Sequence, residues 1–248
     1  MGNTEEVSNP YGIAHVWKEG DYISKSIIVV LLLMSVVSWI IIITKLWDQR
    51  RMRRQYQQLE KNFWTGGNIR DGLSKLTGKD NAFREIAEDG LRAAQHHEGR
   101  LTDEIPLHEW ITVSLQRSVD SVTSALQGGL SFLATTGSTA PFIGLMGTVW
   151  GILQALINIG VAGQADIGRV AGPVGEALIM TFFGLFVAVP AVLGYNWLLR
   201  RNKSLIDKVR YFATDMHSYL VSGARVDAQA APKVPTAASA AAAAAARK

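Results

Sequence analysis

Apolar residues gather in three long blocks along the chain, and the stretches outside them hold nearly all of the charge. Between Lys25 and Lys45 lie nineteen uncharged residues, SIIVVLLLMSVVSWIIIIT. That is enough to cross ~30 Å of hydrocarbon at ~1.5 Å per helical residue. From Ser121 to Ala165 there is no Asp, Glu, Lys, Arg or His. As a single helix this region would be roughly twice the bilayer thickness, so part of it must stand outside the lipid. The third block, Val170 to Leu199, carries one charge, Glu176. The pattern predicts an all-α integral membrane protein with three transmembrane helices.

Helix-period segments at 48–64, 69–77, 80–97 and 107–120 form the main part outside the lipid, with breaks at Gly66-Gly67, Gly78 and Gly99. Pro106 fits a helix start after Thr102 or Asp103 as cap, and nothing from there to Gly128 demands a stop. Span two therefore reads as the outer part of one long helix rising from the cytosol. After span three, Leu205, Val209, Phe212, Met216 and Leu220 recur at helical spacing. This stripe suits packing on the first cytoplasmic helices or on a neighbouring subunit better than calmodulin-like recruitment or binding to a lipid surface. The expected boundaries are a periplasmic segment 1–25, span one 26–46, a cytoplasmic helical region 47–130, span two 131–160, a periplasmic loop 161–170, span three 171–199, a cytoplasmic helix 200–225 and a disordered alanine-rich tail 226–248. Within the first segment, Tyr11, Ile13, Val16 and Trp17 alternate with polar residues, which suits a short interfacial helix over 9–20.

Charge sets the orientation. Arg50, Arg51, Arg53 and Arg54 follow span one, and Arg200 and Arg201 follow span three, whereas acids outnumber bases before span one. The positive-inside rule then places the N-terminus and the loop near 164–168 in the periplasm and the C-terminus in the cytoplasm. The pI of 9.4 reflects these clusters at span ends, which argues against nucleic-acid binding. The first block begins after a polar stretch with Glu5, Glu6, Lys18, Glu19 and Asp21 and lacks a small-residue cleavage site, so it is expected to remain in the mature chain. Without cysteine there are no disulfides or thiolate metal sites. His96 and His97 are adjacent and point to different sides of a helix, which argues against a shared metal. No zinc-like cluster, phosphate loop or nucleophile triad is visible, so neither a cofactor nor an enzyme activity is expected.

The chemistry concentrates in spans two and three. An ionised carboxylate in hydrocarbon costs at least ~2.5 kcal/mol, so Glu176 should face a bundle interior or a wet cavity and mark an ion path. The alternative is a protonated, hydrogen-bonded glutamate used for helix packing. In GSTAPFIGLMGTVWGIL, Gly144, Gly147 and Gly151 favour close helix contact over direct gating, and Pro141 should kink the helix. Thr135, Thr136, Ser138, Thr139, Thr148 and Thr181 could line a wet path or bond back to carbonyls of their own helices. Pro190, fourteen residues after Glu176, shares its face, while Thr181 lies about 140° round from it.

The segments STAPFIGLMGTVWGIL and AGPVGEALIMTFFGLFVAVPAVLGYN resemble the MotA/TolQ/ExbB proton-channel family, most closely its ExbB branch and then TolQ. GTVWGI at 147–152, GEAL at 175–178 and AVPAV-x-x-YN ending at Asn196 stand in that family's order. FWTG at 63–66 leans to TolQ and the extended polar N-terminus to ExbB. The resemblance implies a three-span subunit in a pentameric ring around the helices of an ExbD-like or TolR-like partner, which couples to a TonB-like or TolA-like transducer. It further implies an inner-membrane motor driven by the proton motive force, with Thr148, Glu176 and Thr181 at pore-associated positions and the partner supplying an intramembrane Asp. TFFGLF at 181–186 is bulkier than the small-residue stretch usual after the family's Glu. An autonomous channel would call for more intramembrane polar groups or an internal repeat.

Overall fold

The computed structural model describes residues 21–66, 69–76, 78, 81–95, 106–162 and 167–223, and every element among them is helical. Helix α1, Tyr22–Asn62, runs 41 residues without a Gly or Pro. It ends in a 3₁₀ turn, Phe63–Gly66, and is followed by α2, Ile69–Lys75, and α3, Ala82–Gln95. Asn81 caps α3, its Oδ1 accepting from the Phe83 N–H at 3.1 Å. Helix α4 spans Leu107–Gln127, α5 Leu130–Ala162 with Pro141 inside, and α6 Ile167–Ser222 with Pro173 and Pro190 inside. Gly223 closes α6 in the left-handed region, φ 71°, its N–H donating to the Tyr219 carbonyl at 2.9 Å. The interfacial helix expected at 9–20, Gly99, His96, His97, Thr102, Asp103 and the tail 226–248 lie outside the described residues.

Three stretches are long and apolar enough to cross a membrane: α1, the α4–α5 region and α6. The single long helix expected through Gly128 is divided. Gly128 and Gly129 form a turn between α4 and α5, Gly129 adopting φ 80° and the Gly128 N–H donating to the Ser124 carbonyl at 3.0 Å. A glycine pair can take the left-handed conformation at no steric cost, and that makes the break.

The chain forms two compact units. The first takes residues up to Gln57 and from Val122 to Ile206, and so contains most of α1, all of α5 and the apolar part of α6. Its core has one cluster of Ile27, Leu31, Ala140, Met180, Val187 and Ala188 and another of Ile42, Leu130, Leu133 and Leu198. From the first cluster to the second, α1 and α6 contribute later residues and α5 earlier ones, so α1 and α6 run parallel and α5 runs against them. The second unit takes Gln58–Ser121 and the chain from Asp207. There the stripe read on the last helix is buried at Val209, Phe212 and Met216. The Phe212 ring packs edge-on against Phe63 at 5.4 Å and Phe83 at 5.6 Å.

Candidate ion pathway

Glycine brings α5 and α6 together. A Cβ at Gly144 would stand 2.7 Å from the Met180 carbonyl oxygen and 3.1 Å from the Gly184 Cα. At Gly147 it would meet the Met180 Cβ at 2.7 Å, and at Gly151 the Ala177 Cβ at 2.8 Å. All three glycines singled out in the sequence therefore lie in one seam. Gly184, which the sequence reading passed over, completes it from the other side. The signal available was the lone small residue in TFFGLF: its bulky neighbours Phe182 and Phe186 stack on each other at 5.9 Å on the exposed face, leaving Gly184 to the contact. Pro141 follows the fully buried Ala140, whose carbonyl oxygen would stand 2.7 Å from a Cβ at Gly184. Pro190 is half-buried within α6.

This close approach puts Thr148 and Thr181 in contact. Their hydroxyls hydrogen-bond to each other, and the Thr148 Oγ1 also reaches the Ala177 carbonyl at 3.2 Å and its own helix's Gly144 carbonyl at 3.3 Å. Thr135 and Thr139 bond back to carbonyls four residues earlier, and Ser138 to one three residues earlier. Thr136 is fully buried, and neither its hydroxyl nor that of the buried Ser38 has a hydrogen-bond partner.

Glu176 is half-buried, with Oε1 sealed from solvent. It precedes Ala177, which lies in the glycine seam, and about 140° of helix separates it from Thr181. The structure thus joins Thr148 to Thr181 and sets Glu176 on the opposite flank of the same contact. It also brings a half-buried indole to this level: Trp150, one residue before Gly151, has its Nε1 sealed from solvent.

At the other end of the first unit, side chains close the broken helix. α4 leaves its last carbonyls without helical partners. The Lys45 Nζ donates to Ala125 at 2.7 Å and the Asn202 Nδ2 to Leu126 at 2.8 Å. Gln49, fully buried, donates through Nε2 to the Asn202 Oδ1 at 2.6 Å and the Leu198 carbonyl at 3.1 Å. Beyond this clamp, Arg50, Arg51, Arg53 and Arg54 are exposed on α1, as is Arg200 on α6, and the Arg201 guanidinium lies 4.8 Å from the Trp197 ring centre. Among the described residues no group of His, Asp and Glu could hold a metal ion.

Residues 79–210 match the model of the MotA/TolQ/ExbB proton channel family. The chain is 38% identical over 231 residues to the biopolymer transport protein ExbB of Xanthomonas campestris pv. campestris, covering 90% of this chain and 88% of that protein. It is 36% identical over 211 residues to the ExbB of Neisseria meningitidis, covering 84% and 96% respectively. It is 33% identical over 209 residues to the Tol-Pal system protein TolQ of Pseudomonas aeruginosa, covering 80% and 90%.

Proposed function

Because the chain belongs to the MotA/TolQ/ExbB proton channel family, we propose that it is the ExbB-like ring subunit of an inner-membrane motor, energising TonB-dependent outer-membrane transport with an ExbD-like partner. The observation that carries the reading is a half-buried carboxylate, Glu176, on an apolar helix beside a seam tight enough to pair Thr148 with Thr181. An intramembrane carboxylate is costly in lipid, and such groups ordinarily mark an ion path. The ExbB-named proteins of Xanthomonas and Neisseria are more similar to the chain than the TolQ of Pseudomonas aeruginosa, which supports ExbB over TolQ. FWTG at 63–66 keeps a TolQ-like subunit of the Tol-Pal envelope system, with TolR-like and TolA-like partners, as the second reading.

In this reading five copies form a ring around the ExbD-like helices, and a TonB-like transducer receives the movement. The N-terminus and the connection between α5 and α6 face the periplasm, the arginine-rich segments of α1 and α6 face the cytoplasm, and the ring shields Glu176 from lipid. One carboxylate per chain makes an incomplete relay, so the partner's intramembrane carboxylate completes it. A charged and a neutral carboxylate differ by several kcal/mol in how they tolerate an apolar wall, and that difference drives the change of contacts between ring and partner.

The test is proton flux into liposomes holding this protein alone, the complex, and the complex with the partner's carboxylate neutralised. The expected result is flux in the intact complex only. Comparable flux in all three would make the chain an autonomous channel. Glu176→Gln in the complex should abolish flux while leaving ring assembly intact.

A further inference from the structure

The second unit holds a groove that the ion pathway does not use. It lies between α3 and α4, encloses about 660 Å³, and is lined by Glu85, Asp89 and Arg92 on one side and Trp110, Ser114 and Arg117 on the other. Ligand-binding clefts have volumes of ~300–1,000 Å³, so the space is large enough to hold a short peptide segment. The Trp110 indole is 40% exposed and forms an open aromatic wall. Asp89 is already engaged, accepting from the Ser118 hydroxyl at 2.7 Å and lying 3.4 Å from the Arg92 guanidinium. Glu85 and Arg117 are exposed, and no ion pair reaches either among the described residues.

The last turn of α6 ends beside this groove. Gly90, next to Asp89 on α3, packs against it: a Cβ there would stand 3.2 Å from the Leu220 Cδ1 of α6 and 2.9 Å from the Leu115 Cδ2 of α4. Gly223 then closes α6, and residues 224–236 follow as ARVDAQAAPKVPT. The chain from Gly223 to Pro232 can extend up to ~30 Å. That exceeds the ~10–12 Å diameter of a helix it has to pass. Within the segment, Pro232-Lys233-Val234-Pro235 is a P-x-x-P sequence with a cation inside it. Segments of this kind dock in aromatic-lined grooves, because proline restricts the free chain and little entropy is lost on binding. The segment also carries both signs, in Asp227 and Lys233, as the groove does in Arg117 and Glu85.

We propose that the α3–α4 groove is the docking site for residues 232–235 of its own chain, with the proline rings against Trp110 and Lys233 drawn to Glu85. Arg92 and Arg117 set the groove against a run of cations, and the segment brings a single lysine between two prolines. The proposal stands apart from the reading of Glu176, since none of its residues belongs to the membrane-spanning helices' polar seam.

Because the chain has no cysteine, Ser114→Cys in the groove wall and Val234→Cys between the prolines can be combined in the full chain in native membranes and oxidised. Mass spectrometry and non-reducing gels distinguish a disulfide within one chain from one between two. The expected result is a bond within one chain. A bond formed only between chains assigns the groove to a neighbouring copy's segment and overturns the proposal, as does the absence of any bond. Glu85→Lys and Lys233→Glu should each slow the cross-link severalfold, and the two together should restore it by exchanging the charges. Equal rates in all four chains would reduce the bond to random collision of a tethered segment and also overturn the proposal. Trypsin cleavage after Lys233 in the chain without added cysteines gives a second measurement. It should accelerate severalfold in Trp110→Ala, and an unchanged rate counts against the groove as the docking site.

Discussion

Gly144 and Gly184 stand against each other where α5 crosses α6, so that a Cβ on Gly184 would come 3.0 Å from the Gly144 Cα and 2.7 Å from the Ala140 carbonyl oxygen. Both neighbours are backbone and cannot rotate aside. Close backbone approach of this kind is how apolar helices gain packing in a membrane, where lipid competes on equal terms with side chains.

Gly184→Ala therefore tests the seam. Alanine gains about 1 kcal/mol of helix propensity over glycine. Overpacking against a rigid neighbour costs about 1–3 kcal/mol, so the net effect should be destabilising. Gly160→Ala is the control, because nothing lies within 4 Å of a Cβ there and only the propensity gain remains. Thermal unfolding of the two variants in detergent should move in opposite directions.

The clamp at the α4–α5 break yields a second expectation. Asn202→Ala removes the donor to the Leu126 carbonyl and the acceptor for Gln49 in a site where both side chains are buried. Each buried polar group left unsatisfied costs about 1–3 kcal/mol. Lys45→Met should cost less, since the Lys45 side chain is 18% exposed and water can replace it at Ala125. Hydrogen exchange at Gly128 and Gly129 should accelerate in the asparagine variant and change little in the lysine one.

What the sequence made legible was what one helix reports about itself. The three apolar stretches, the glycines of α5 and the lone charge of the apolar part of α6 all stand out by composition or period. Relations between helices did not. Asn202 meets Gln49 across 153 residues and Thr148 meets Thr181 only because a register of α5 on α6 brings them level. The sequence period fixes which face each residue occupies, but not which faces meet. Gly184 was hidden for a related reason: its phenylalanine neighbours dominate the composition of the segment, although Phe182 and Phe186 point away from the seam. The division at Gly128-Gly129 went unread because the uncharged run from Ser121 to Ala165 continues on both sides of it.

Thr148 and Thr181 offer a direct measure of that register. Thr148→Val and Thr181→Val remove the hydroxyls with nearly unchanged shape, and a double-mutant cycle on stability should return a coupling of about 0.5–2 kcal/mol for residues in contact. Thr181→Ser should retain the coupling, because the hydroxyl persists. Proton flux through the complex should fall in both valine variants. Unaltered flux beside a measured coupling would assign the pair to packing alone.

The orientation of the chain is open to the simplest measurement, since the protein has no cysteine and a single introduced thiol reports without interference. Four arginines lie at 50–54 and two more at 200–201, while Glu5, Glu6, Glu19 and Asp21 precede the first span. Retaining such clusters on the cytoplasmic side is the strongest sequence determinant of topology. Gln164→Cys, between the last two spans, should react with a membrane-impermeant maleimide added to intact spheroplasts. Asp207→Cys, one turn beyond the basic end of the third span, should react only in inverted vesicles. Labelling of both from the same side would require an even number of spans between them and would overturn the three-span arrangement.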